Sequence, residues 1–309
     1  MSLPLAPSAP PPLRHDRPML GIVLMLGFCV TAPLIDVFSK LAVATIPVGE
    51  VTAARFVVQT AVMLPVLLLM GLGLRVERAL LPLLALRAAC VSASTFAFVS
   101  AVEVMPIADA LAIAFVEPFL VLLWGRFVYH EPVGPRRLLA SIVGFAGVLL
   151  VIQPSFQRFG AVALWPLGTA TAFAAYMLVT RRLSGRLHPV AMHFHTSWIA
   201  VLICVVPLVV IGRGAFAPVM PADVEWLWLA GVGVAAAVSH MMMTYAFGAA
   251  PTTLLAPLHY FELISAVIFG WLIWHDFPNA MAWAGIAVVI GSGLYIIHRE
   301  ARAASAARP

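Results

Sequence analysis

Glu262 and His259 stand three residues apart in the stretch LLAPLHYFELISAVIFGW, which begins at Leu254 and is otherwise almost wholly apolar. In a helix this spacing puts carboxylate and imidazole on one face. Tyr260 flanks them and a helix-breaking proline, Pro257, comes just before. Such a pair can bind a cationic or amino group, or exchange a proton that drives transport. The plainer alternative is an interhelical hydrogen bond that fixes packing. Glu117 is a second carboxylate of this kind, in AFVEPFLVLLWG. An ionised carboxylate at the centre of a membrane helix costs roughly 2.5–3.5 kcal/mol, so it turns toward a bundle interior or a wet cavity.

Arg55 lies inside another apolar stretch, five residues after Glu50. A buried guanidinium needs an acceptor. It either holds a solute carboxylate in bidentate geometry or pairs with a carboxylate of another helix. Ser239, His240 and Tyr245 interrupt a third apolar stretch, Ser94 occupies the place equivalent to Ser239, and Tyr176 and Phe115 add aromatic candidates. Hydroxyls in membrane helices also bond merely across helices, and aromatic packing is the alternative for the rings. Asp36 and Lys40, four residues apart, read as a local ion pair, and Asp109 as a solvated group near a helix end. His130–Glu131 and His275–Asp276 read as groups that order turns. Cys29, Cys90 and Cys204 are odd in number and far apart, so they are packing residues rather than a disulfide or metal framework.

The elements that carry these residues follow from composition. Of 309 residues, 63% are hydrophobic and only 10% charged, far from the balance that keeps a soluble domain in water. Apolar runs fall at 19–40, 48–71, 80–101, 107–128, 136–153, 161–180, 189–212, 225–248, 252–274 and 280–298, each near the roughly 20 residues that one bilayer crossing needs. The expectation is an all-α integral membrane protein of ten transmembrane helices, with a Pro-rich tail over 1–18 and a second tail over 299–309. With both termini in the cytoplasm, 13 of the 18 Lys and Arg fall in cytoplasmic segments and 3 in outer ones, as the positive-inside rule requires. Trp226, Trp228, Trp271 and Trp274 near run ends fit an interfacial belt. The net charge of +5 is spread over gaps between runs, so it reads as topology and not as a nucleic-acid surface.

The chain also repeats. At an offset of 145, Pro106 falls on Pro251, Glu117 on Glu262, Gly125 on Gly270, His130 on His275 and Ser94 on Ser239. Residues 19–153 and 161–298 therefore read as two homologous five-helix units. Five is odd, so the second unit is upside down relative to the first, an inverted repeat.

On the strength of VTAARF in the second run, FVYHEP after the fourth, PLHYFELISAVIFGWLIWHDFP, and WAGIAVVIGSGLYIIHRE, the chain resembles the drug/metabolite transporter superfamily, and within it the EamA-type members. The resemblance spans residues 19–298. It implies ten helices in two inverted repeats around a substrate cavity with alternating access. Glu117 beside Pro118 departs from relatives that are wholly apolar there. The resemblance gives the expected function: secondary transport of a small organic metabolite, amino-acid-like or cofactor-like, with protons as a possible coupling ion. The alternative in the same fold is a facilitative exporter of amino acids or drugs, and a remote alternative is an integral-membrane enzyme. With no GxxxxGK[ST], HExxH or GxSxG motif, no ATP-driven step, metal or cofactor is expected. The expected location is the bacterial inner membrane, with lipid and a small solute as partners.

Overall fold

Prolines open several of the helices. Pro18, Pro82 and Pro189 occupy first-turn positions, where the missing N–H has no helical partner to lose. The computed structural model describes residues 17–117, 119–120, 123–124, 135–152, 159–183, 186–250, 255–275 and 280–306. Ten α-helical elements occur among them: α1 Pro18–Val43, α2 Val48–Leu69, α3 Leu81–Val102, α4 Ile107–Ala114, α5 Pro135–Ile152, α6 Leu164–Leu183, α7 Pro189–Val210, α8 Asp223–Ala249, α9 Phe261–Trp274 and α10 Ala280–Ala306. No β-strand occurs among the described residues.

Among the described residues, six helices are long and apolar enough to cross a membrane: Pro18–Val43, Val48–Leu69, Arg78–Val102, Gly160–Leu183, Pro189–Val210 and Asp223–Ala249. Leu258–Trp274 and Trp283–Ser292 are shorter apolar helices. Polarity is distributed inside out. Leu69, Val209, Val210 and Met220 are exposed, while Arg55, Gln59, Arg87, His193 and His240 are buried. In water such an apolar exterior would drive association; in lipid it is the favourable face. The chain is a multi-pass membrane protein.

Three departures from the predicted runs bear on the site. The fourth run does not continue as one helix: α4 stops at Ala114, Phe115 and Val116 form a turn, and helical geometry resumes at Glu117. The cause is Pro118, which has no N–H for the Ala114 carbonyl. The ninth run is broken at the matching place. Ala256–Tyr260 forms a 3-10 segment and α9 begins only at Phe261. Glu262 therefore lies in the first turn of α9, rather than near the middle of a continuous helix. At the far end, α10 continues to Ala306, past the predicted limit of 298. Residues 1–16, His130, Glu131 and Asp276 lie outside the described residues.

The helices pack in a regular set of pairs: α1 on α8, α3 on α6, α2 on α7, α4 on α9 and α5 on α10, with α2 also on α8 and α3 also on α7. Exchanging α1–α5 with α6–α10 in order maps this set onto itself. Small residues permit the close approaches. A Cβ on Gly233 of α8 would stand 2.3 Å from the Val58 Cβ and 2.9 Å from the Arg55 carbonyl, so the glycine sets how near α2 comes at Arg55. A Cβ on Gly147 of α5 would stand 3.0 Å from the Gly285 carbonyl of α10. A Cβ on Gly291 of α10 meets nothing within 4 Å among the described residues.

Candidate functional site

The two helix breaks deliver acidic residues to a shared place. Glu117 follows the break after α4 and Glu262 the break before α9, and His259 is the next-to-last residue of the 3-10 segment that leads into α9. The tighter 3-10 winding precedes the α-helical turn that brings His259 Nε2 within 2.8 Å of Glu262 Oε2. The other ring nitrogen, Nδ1, is 3.8 Å from Glu117 Oε2. One imidazole thus lies between two carboxylates, one from each half of the chain. Phe28 and Phe115 wall the ring, with centroids 5.1 and 5.8 Å away. Phe115 and Tyr260, which correspond at the offset of 145, face each other at 5.7 Å. All three ionisable groups are buried.

A central cavity of about 110 Å³ opens onto this triad. Asp36, Ser94, Thr95 and Arg55 line it as well, with His240 beside Arg55. Arg55 donates to Thr95 Oγ1, and its Nη2 is 3.4 Å from His240 Nε2. Ser94 and Thr169 exchange side-chain-to-carbonyl hydrogen bonds of 3.3 and 3.4 Å, which tie α3 to α6 along the cavity wall. The cavity therefore brings the Arg55 guanidinium and the His240 and His259 imidazoles together with the carboxylates of Asp36, Glu117 and Glu262.

The candidates sort cleanly by position. Glu262, His259, Glu117, Arg55, Ser94, His240 and Phe115 line the cavity. Tyr260 is buried behind it against Phe115. Tyr176 is also behind the wall, stacked on the lining residue Phe173 at 5.3 Å. Two expectations fail. Tyr245 is 39% exposed on the outer face of α8, and Ser239 is buried away from the cavity, its hydroxyl turned to the Ala236 carbonyl at 3.4 Å. Arg55 makes no direct ion pair among the described residues; it hydrogen-bonds to Thr95 and lies beside His240, while the Asp36 carboxylate of α1 lines the same cavity and interacts with it electrostatically. Asp36 points to the cavity, while Lys40 donates to the Met105 carbonyl at 3.1 Å and lies 5.1 Å over the Trp274 ring.

Two buried polar residues lie outside the set expected from sequence. Arg87 is fully buried, donating to Thr180 Oγ1 (2.8 Å), Tyr176 Oη (2.6 Å) and Thr196 Oγ1, with its guanidinium 4.4 Å over the Tyr176 ring. It joins α3 to α6 and α7. Its signal in the sequence is a charge six residues into an apolar helix. His193 was also missed; its Nε2 is 2.6 Å from Thr244 Oγ1 and its ring 6.2 Å from His240.

The model of the EamA-like transporter family matches the chain twice, over residues 19–153 and 160–298. The chain belongs to the EamA-like transporter family. Relatives of this EamA-like transporter include a riboflavin transporter of Rhizobium johnstonii, 27% identical over 291 residues that cover 94% of this chain and 95% of the relative. A pseudopaline exporter of Pseudomonas aeruginosa is 26% identical, covering 87% of this chain and 93% of the relative. An S-adenosylmethionine uptake transporter of Rickettsia bellii is 24% identical, covering 93% and 96%. A solved crystal structure with a TM-score of 0.70 covers 92% of this chain and 98% of its own at 19% identity, which establishes likeness of fold. These are transporters of small molecules and not enzymes, and so is this EamA-like transporter.

Proposed function

We propose that this EamA-like transporter moves one small organic metabolite at a time by alternating access, coupled to protons through Glu262, His259 and Glu117. The observation that carries the proposal is the single imidazole held between carboxylates from the two halves of the chain, at the edge of a central cavity. A proton taken up by this group changes the charge at the meeting point of the two halves, where a change in packing can expose the cavity to one side or the other. A bound solute that alters the same charge couples its own movement to that of the proton. The cavity volume supports a moving structure. Pockets that enclose a drug-sized ligand measure about 300–1,000 Å³, so a solute of that size requires the surrounding helices to separate.

The same proposal includes ten membrane helices in two inverted five-helix units, with both termini in the cytoplasm and the chain in a bacterial inner membrane. The double match to the family model and the exchange symmetry of the packing pairs support it, as does the matching placement of the two broken helices. Discontinuous helices that meet at a repeat interface are a recurrent way to build a transport site.

Riboflavin, S-adenosylmethionine and a panel of amino acids are the solutes to test, given the relatives' names. Uptake into proteoliposomes with and without an imposed proton gradient is compared between wild type and Glu262→Gln. Saturable, gradient-stimulated uptake of one solute, with the stimulation lost in the variant, is expected. Saturable uptake that ignores the gradient in both proteins would contradict the coupling.

A further inference from the structure

The cavity does not lie midway between the ends of the helices. On α1 its wall reaches Ser39, four residues before the helix ends at Val43, and on α3 it reaches Val99, three residues before Val102. At 1.5 Å per residue the cavity stops about 6 Å short of that end. Toward the opposite end it reaches only Phe28 on α1 and Val91 on α3, each ten residues from the helix start at Pro18 or Leu81, which is about 15 Å. The thin cover is an apolar cluster. It joins the wall residues Ile35 and Val99 to Val43, Ile46 and Val48, with Phe96 packed against it.

A segment from the second half of the chain is fastened to the helices of the first half at this end. Between α7 and α8, Gly212 and Gly214 have φ of 57° and 59°, the left-handed region that glycine enters without steric cost. A 3-10 turn, Gly214–Phe216, follows. The Phe216 ring stacks on Phe96 of α3 at 5.4 Å and 12°, and Phe96 meets Trp165 of α6 edge-on at 6.1 Å. Gly49 at the start of α2 makes room for it: a Cβ there would stand 2.6 Å from the Phe216 ring and 2.7 Å from the Ala215 carbonyl. Glu50 Oε2 accepts the Val219 N–H at 2.9 Å, in contact with solvent. The far end of the segment is fixed by Glu225 of α8, which accepts from Thr45 just beyond α1 and, at 2.6 Å, from the Ala222 N–H. Between the glycines and this anchor, the segment is held to α2 and α3 by a ring stack and a hydrogen bond exposed to water.

We propose that residues 212–219 form a clasp that shuts the solute route at this end of the bundle, with Phe96 and Glu50 as its catch. When Phe216 and Val219 let go, α2 and α3 are freed from the second half and the cover beside Ile35 and Val99 can part. The glycines supply the hinge, since a few loop residues absorb the backbone rotation of such a closure. A hydrogen bond in contact with water is worth little net free energy, so the catch can break and remake in every cycle. The inference rests on the alternating-access reading above and names the part that moves at one end.

The test measures how fast a thiol in the cavity is reached from each face of the membrane. Ala114→Cys, on the cavity wall, is exposed to a membrane-impermeant methanethiosulfonate in right-side-out and inside-out vesicles, against protein carrying only the native cysteines. Met220→Cys, at a position 86% exposed next to the clasp, reports which face the clasp occupies, so an error in orientation leaves the result intact. Glu50→Ala or Phe216→Ala should speed modification of Ala114→Cys about 2- to 10-fold from the clasp face, the range of one net hydrogen bond. From the other face the rate should be equal or slower. Acceleration from both faces alike would mean general loosening and overturn the clasp, as would no acceleration from either. In a second arm, oxidising the pair Glu50→Cys and Val219→Cys to a disulfide should stop uptake of whichever panel solute is transported, and reduction should restore it. Undiminished uptake by the cross-linked protein would also overturn the clasp. Uptake of no solute by wild type would count against the transport role, and the labelling rates would still decide the clasp.

Discussion

His259 is the residue through which the two halves of the chain meet chemically. It lies 2.8 Å from Glu262 and 3.8 Å from Glu117, so replacing it should uncouple the pair rather than simply remove a contact. His259→Asn keeps a hydrogen-bonding side chain of similar size but cannot change its charge. Solute exchange by this variant at equal pH on both sides should persist within about tenfold of wild type, while gradient-driven accumulation is lost; counterflow and accumulation assays separate the two. The carboxylates were visible in sequence because an acid in an apolar run stands out. The histidine was visible by its three-residue spacing. Facing direction was not visible. His240 lines the cavity, yet Tyr245, five residues on, is rotated by about 140° at 100° per residue and emerges on the outer face. A helix that is apolar on all sides carries no stripe to show which way it points. Asp36 was hidden for a different reason: the nearby Lys40 offered a local partner by spacing, whereas the structure takes Lys40 to the Met105 carbonyl.

Helices α3, α6 and α7 are joined by one guanidinium. Arg87 reaches Thr180 and Tyr176 on α6 and Thr196 on α7; the two threonine hydroxyls also donate to backbone carbonyls of their own helices, so its loss deprives chiefly the Tyr176 hydroxyl. Arg87→Leu should lower stability by about 1–3 kcal/mol, the cost of one buried group left without its partner. The measurement is thermal unfolding in detergent, followed by loss of the monodisperse peak. Arg87→Lys should recover only part, because a point-like ammonium does not span the three acceptors. Gly233 makes an equally specific demand on the packing of α2 against α8. A Cβ there would lie 2.3 Å from Val58, so Gly233→Val should cost about 1–3 kcal/mol through overpacking, seen as a lower melting temperature, with Val58→Ala in the same chain restoring part of it. These helices were placed within a few residues by hydropathy alone. Their breaks were not, although Pro118 and Pro257 stood in the sequence. Prolines also occur inside helices that continue, as Pro33, Pro65 and Pro207 do, so a proline by itself does not announce a break.

For the whole molecule the account requires a particular orientation and a particular cycle. With the C-terminus in the cytoplasm, green fluorescent protein fused after Pro309 should fluoresce in cells and alkaline phosphatase fused there should be inactive; the opposite pattern would overturn the orientation. An internal similarity was legible from the Glu117–Glu262 and Ser94–Ser239 correspondences, and the family model matches the chain twice. What sequence alone could not supply was the union of the two glutamates on one histidine, because that depends on how the two halves dock. The most direct test of the central claim follows protons and solute together. Proteoliposomes holding a pH-sensitive dye are given a gradient of whichever solute the panel identifies, with no imposed pH difference. The account predicts that inward solute flow through wild type shifts the internal pH, and that Glu262→Gln abolishes the shift. Solute flow through wild type with no proton movement, or an undiminished pH shift in Glu262→Gln, would contradict it.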